Sequence, residues 1–161
     1  MREDDKRIYF FDTSALVKRY HQETGTDIVD AAFGDREAAK IISDIGVIEF
    51  YSAFAKKARM GEITEEDFRE TIRGLAQDIR SGTIELTPLS DSDKKEAVTL
   101  IEKHGLSKNL RTLDAMQLAV MKRFGSQIIT RVYCADRLFV ASIEEEGFTV
   151  TNPEAQLLVN R

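Results

Sequence analysis

An α/β fold with a central, mostly parallel sheet of four to five strands is what this sequence predicts. Short bounded apolar runs, rich in aromatic and β-branched residues, alternate with stretches whose apolar residues recur at helical spacing. Such alternation implies parallel strands covered by helices on both faces. The first apolar run, Ile8-Tyr9-Phe10-Phe11, also ends abruptly in Asp12. That is where a strand leaves the sheet, and open α/β sheets bind ligands at this edge.

After this strand, Ala15–Tyr20 reads as a short helix that Gly25 breaks, and Ile28–Phe33 as a second, closed near Gly34. Lys40–Ser43 is the second strand. Val47–Met60 is a helix ending at Gly61, with Glu49 in its first turn. Thr64-Glu65-Glu66-Asp67 approximates a capping box, and Phe68, Ile72, Leu75 and Ile79 behind it form an amphipathic stripe. These two consecutive helices read as a hairpin arm suited to a dimer or partner surface. Thr83–Thr87 alternates as a strand and Pro88 stops it. Ser90–His104 is a helix closed by Gly105, and Thr112–Phe124 is another. Gln127–Val132 is the fourth strand, Ala135–Glu146 a helix, Phe148–Thr151 the fifth strand, and Glu154–Val159 a closing turn.

The 161 residues suit one domain, 1–161, able to bury roughly two thirds of its unfolded surface. Cys134 is the single cysteine, which rules out an internal disulfide and suits a cytoplasmic location. No apolar run approaches the ~18 residues of a membrane span. Residues 1–6 are charged, lack a signal peptide's apolar core, and are expected to be disordered. The net charge of −5 argues against bulk electrostatic binding of nucleic acid. It leaves room for an acidic catalytic centre with local cations.

Four acids recur at comparable places: Asp12 after strand one, Glu49 after strand two, Asp114 in the first turn of its helix, and Asp136 after strand four. An Asp ahead of a helix is also an ordinary N-cap, and a first-turn acid suits the helix dipole. Asp114 is harder to explain that way, because an acid amid Leu113, Leu118 and Ala119 needs a polar partner. Acids gathered at one sheet edge repel one another unless a cation sits among them. Oxygen-only ligands suit Mg²⁺ or Mn²⁺, and such ions assist phosphodiester hydrolysis.

Four stretches together resemble the PIN domain family, and most of all its VapC-type toxins: Phe11-Asp12-Thr13-Ser14-Ala15-Leu16-Val17-Lys18, Val47-Ile48-Glu49, Arg111 to Ala119, and Ala135-Asp136-Arg137-Leu138. The resemblance covers about Ile8 to Pro153. It implies a three-layer α/β/α sandwich and Mg²⁺- or Mn²⁺-dependent ribonuclease activity leaving 5′-phosphate and 3′-hydroxyl ends. It also implies a homodimer and a cognate antitoxin. By position, Asp12 and Asp114 would be primary metal ligands, and Asp136 would serve that site or a second ion. Glu49 would bind through water or activate the attacking water, and Ser14 would hydrogen-bond within the cluster. The family usually carries Thr, Ser or Asn two residues before the last acid. Cys134 stands there instead, and a thiol is a weaker hydrogen-bond partner. Arg111 and Lys18 are the cations expected to grip substrate phosphates.

Two rival readings stay open. A haloacid-dehalogenase-like phosphohydrolase also places an Asp after its first strand, but follows it two residues later with a second, where this chain has Ser14. A PIN-like binding or regulatory subunit would keep the fold without the chemistry.

Overall fold

The computed structural model describes residues 6–155. The expected N-terminal disorder falls almost wholly outside that range, as does the end of the closing turn. The chain runs β1 (Arg7–Phe11), α1 (Thr13–Tyr20), α2 (Thr26–Gly34), β2 (Ala38–Ser43), α3 (Asp44–Arg59), α4 (Glu65–Arg80), β3 (Glu85–Thr87), α5 (Asp91–Lys108), α6 (Thr112–Phe124), β4 (Arg131–Tyr133), α7 (Arg137–Glu145) and β5 (Val150–Thr151).

The five strands form one sheet in the order β3-β2-β1-β4-β5, and every pairing is parallel. β1 is central, with Phe10 opposite Ile41 on β2 and Val132 on β4. The pleat sends alternate residues to opposite faces. Phe10 packs with Leu100, Leu118, Val120, Phe139 and Ile143 from α5, α6 and α7. Tyr9 and Phe11 enter a second core with Leu16, Val29, Phe50, Phe54 and Leu75 from α1 to α4. The result is the three-layer α/β/α sandwich.

Strand order positions the site. From β1 the chain builds outward through β2 and β3, then returns to lay β4 and β5 on the other side. The crevice between the C-terminal ends of β1 and β4 is therefore a topological switch point, where such sheets bind ligands. Asp12 follows β1 directly, and Asp136 follows β4.

Several expected boundaries move. α3 starts at Asp44, capped by the Ser43 hydroxyl, so Glu49 lies beyond its first turn. Gly105 does not end α5. The helix runs to Lys108 and stops at Asn109, whose φ of 53° is left-handed. β4 is Arg131–Tyr133, because Gln127–Ile129 are spent turning back from Gly125. The Thr64–Asp67 capping box forms in both directions. Gly25 is required at the head of α2: its φ is 89°, and a Cβ there would meet Pro153 at 2.7 Å.

Candidate active site

The switch-point crevice opens into a cavity of about 790 Å³ lined by Asp12, Glu49, Asp114 and Asp136, with Ser14, Arg111 and Lys56 among them. Each acid arrives by a different route. Asp12 and Asp136 are both N-caps: Asp12 accepts from the Ser14 N–H, and Asp136 Oδ1 accepts from the Leu138 and Phe139 N–H groups at 3.0 and 3.2 Å. Capping and site membership coincide at these residues, because a cap fixes a carboxylate at a strand-to-helix turn. Asp114 stands in the first turn of α6, and Glu49 projects from α3.

Ser14 Oγ donates to Asp12 Oδ2 and accepts from the Ala135 N–H at 2.9 Å, tying the β1 and β4 exits together. Cys134 is wholly buried, with its Sγ 3.6 Å from Asp12 Oδ2. Burial, then the charge of Asp12, pushes its thiol pKa up, so the sulfur stays protonated.

Gln117 lies within the Arg111–Ala119 stretch but has no role among the residues expected from the sequence. Its side chain is fully buried, and its Nε2 donates to Asp12 Oδ1 at 3.1 Å and to Glu49 Oε1. The signal was present: an amide in a buried stripe, one turn after Asp114, needs polar partners. Arg111 is the second bridge. Its guanidinium reaches Asp114 Oδ2 at 3.1 and 3.2 Å and Asp136 Oδ2 at 2.8 Å.

Lys18 does not join this group. Its ammonium is buried between Glu23 at 3.0 Å and Glu154 at 2.7 Å, tying α1 to the segment after β5. It is therefore not presented to a substrate. Lys56, from α3, lies on the cavity wall instead.

The electrostatics match a crowded acidic pocket. Burial, then the charge of Asp12, pushes Glu49 up to about 7. Burial and Asp12 likewise push Asp114 up to about 6, against the pull of Arg111. Burial raises Asp12 itself, opposed by hydrogen bonds from Ser14, Cys134 and Thr13. Acids held uneasily at neutral pH, with oxygen donors only, suit a hard divalent cation. Among the described residues no three of them stand arranged to hold a metal ion. Gln117 and Arg111 hold them as two bridged pairs.

A parallel α/β/α sandwich with acids converging at its switch point defines the class to which this molecule belongs. The family model of the PIN domain matches residues 9–131, and the chain belongs to the PIN domain family. Solved structures with the same fold include VapC20 of Mycobacterium tuberculosis, a sarcin-ricin-loop-cleaving toxin, at 17% identity and a TM-score of 0.65, covering 88% of this chain and 96% of that one. PAE2754 of Pyrobaculum aerophilum shows 18% identity, a TM-score of 0.62, and coverage of 96% and 88%. A chain of the VapBC2 complex of Rickettsia felis, bound to promoter DNA, shows 13% identity, a TM-score of 0.56, and coverage of 89% and 97%. No curated protein matches the sequence. Among the described residues no helix is long and apolar enough to cross a membrane.

Proposed function

We propose that this protein is a divalent-metal-dependent endoribonuclease, the toxin of a VapBC-like toxin–antitoxin pair, acting in the cytoplasm. The observation carrying this reading is the convergence of Asp12, Glu49, Asp114 and Asp136 on one cavity at the switch point. Membership of the PIN family and a fold shared with toxins of known structure support it.

Asp12, Asp114 and Glu49 would hold Mg²⁺ or Mn²⁺, with Asp136 beside them. When bound, the ion lowers the pKa of water and stabilises charge on the phosphoryl oxygens. The chain's own residues do the rest. Glu49, reaching the ion through water, can accept a proton from the attacking water. Arg111, its side chain 63% exposed, and Lys56 on the cavity wall meet the RNA backbone. In a chain of net charge −5, these local cations must do the steering.

The antitoxin is proposed to cover the arm made by α3 and α4, where Val47, Tyr51, Leu75, Ala76 and Ile79 line an apolar groove. A homodimer completes the reading. The phosphohydrolase rival loses its footing at Ser14, whose hydroxyl is spent on Asp12 and Ala135.

The test is cleavage of RNA with Mg²⁺ or Mn²⁺, comparing the wild type with Asp12→Asn and Asp114→Asn. Both substitutions are expected to abolish cleavage, as is EDTA. Undiminished cleavage in both variants would overturn the proposal and favour a contaminating nuclease. A folded wild type that never cleaves would favour the binding-subunit reading.

A further inference from the structure

The four acids are not equivalent, and the oxygen atoms show why. Asp136 has spent both of its oxygens. Oδ1 caps α7 through two backbone N–H groups, and Oδ2 faces the Arg111 guanidinium at 2.8 Å. Asp114 gives Oδ2 to the same guanidinium. Its Oδ1 receives no hydrogen bond among the described residues.

The Asp12–Glu49 pair is bridged differently. Gln117 supplies hydrogen bonds but no charge. Glu49 Oε2 receives no hydrogen bond among the described residues, and the side-chain donor to Asp12 Oδ1 is the neutral Gln117 amide. Gln117 Oε1 is also buried and has no hydrogen-bond partner among the described residues. Buried acceptors of this kind are uncommon and call for an explanation. One side of the pocket thus has a cation bonded to its acids, and the other has negative charge and open oxygens with no cation bonded to them among the described residues, although Lys56 lines the same cavity.

A guanidinium is always charged, and its planar fork spans two carboxylates. Exposed ion pairs are individually weak. Here, however, one cation separates two acids whose other neighbours include acids, so its departure would restore their mutual repulsion. We infer that Arg111 occupies the seat of a second divalent ion, so that the pocket takes one ion, on the side of Asp12, Glu49 and Asp114, and closes the position between Asp114 and Asp136. This rests on the metal-dependent reading above. It makes Arg111 a positioning residue as well as an RNA contact, and assigns the site a stoichiometry.

The experiment is calorimetric titration of the full chain with Mn²⁺ alone, at mildly alkaline pH, with circular dichroism to confirm folding. The wild type is expected to bind one ion per chain. Arg111→Gln removes the charge and is expected to bind two. Arg111→Lys restores the charge and is expected to return to one. Arg111→Gln combined with Asp136→Asn removes the second seat itself and is also expected to return to one.

Two ions in the wild type, or one ion of unchanged affinity in folded Arg111→Gln, would overturn the inference while leaving a metal-dependent nuclease intact. A second ion that persists in the double variant would place it elsewhere and overturn the inference too. No binding by the wild type, together with RNA cleavage unaffected by EDTA, would instead overturn the metal-dependent reading on which the inference stands.

Discussion

Glu49 and Glu146 are both half-buried, and their surroundings drive them in opposite directions. Glu146 lies where α5, α6 and the end of α7 meet, against Lys103 at 2.6 Å, His104 at 2.7 Å and Lys122 at 3.1 Å. Those partners overcome desolvation and hold it down at about 2. Glu49 faces Asp12 and Asp114 across the cavity, receives one neutral amide, and is pushed up to about 7. The first arrangement is complete and ties helices together. The second is incomplete, and an unbalanced group in a cleft is the electrostatic mark of a functional site. The difference lies in what neighbours each glutamate, and long-range folding decides that.

The contrast can be broken most sharply through activity. Glu49→Gln is expected to lower RNA cleavage by about 100-fold or more, because the ion and the attacking water lose a charged partner. Glu146→Gln is expected to leave cleavage by the folded enzyme within about threefold, so equal losses in the two variants would erase the distinction. Stability should invert that ranking. Glu146→Gln takes the charge away from buried His104, from Lys103 and from Lys122, which keeps Glu96, and is expected to cost about 2 kcal/mol in denaturant melts. Glu49→Gln relieves repulsion and is expected to leave the metal-free protein at least as stable as wild type.

Divalent ions sharpen the comparison next. Excess Mn²⁺ is expected to raise the Tm of the wild type by several degrees, as a ligand of the folded state does, and of Glu146→Gln by the same increment. Asp114→Asn is expected to lose the shift, and a shift retained there would place the ion outside this pocket.

The smallest effect is in the pH dependence, where the two signs oppose. Glu49 has a folded pKa near 7 against an ordinary 4.5, so the folded state holds a proton the unfolded state has lost. Its contribution is most favourable below about 4.5 and declines as pH rises through 7. Glu146, depressed to about 2, contributes above 4.5 and loses that contribution as pH falls towards 2. Thermal melts across pH should therefore show Glu49→Gln gaining on the wild type as pH rises. Glu146→Gln should close its deficit as pH falls. Curves of the same sign would contradict the assignment.

Local patterns announced much of the fold. The aromatic run of β1, the Thr64 capping box and the stripe of α4 are short-range features, and each lies where its sequence places it. Boundaries moved where local rules lost to tertiary ones. Gly105 stays helical, and α5 runs on to Lys108, which pairs with Glu145, before the left-handed Asn109 ends it. β4 shortens because the turn after α6 consumes its first residues. Asp12, Asp114, Asp136 and Glu49 were legible as a group from spacing and resemblance, and the structure brings them to one cavity. The bridges among them were not. Gln117 meets Asp12 across 105 positions and Arg111 meets Asp136 across 25. Lys18 turns away from the site between Glu23, five positions on, and Glu154, 136 positions away, and the second of these has no local signal.

Crystals soaked in Mn²⁺ and measured at the manganese absorption edge test the central claim most directly. An anomalous peak is expected among Asp12, Glu49 and Asp114, with the Arg111 guanidinium still between Asp114 and Asp136. A peak elsewhere on the chain, or none at saturating Mn²⁺, would contradict the claim that these acids form one cation-binding pocket.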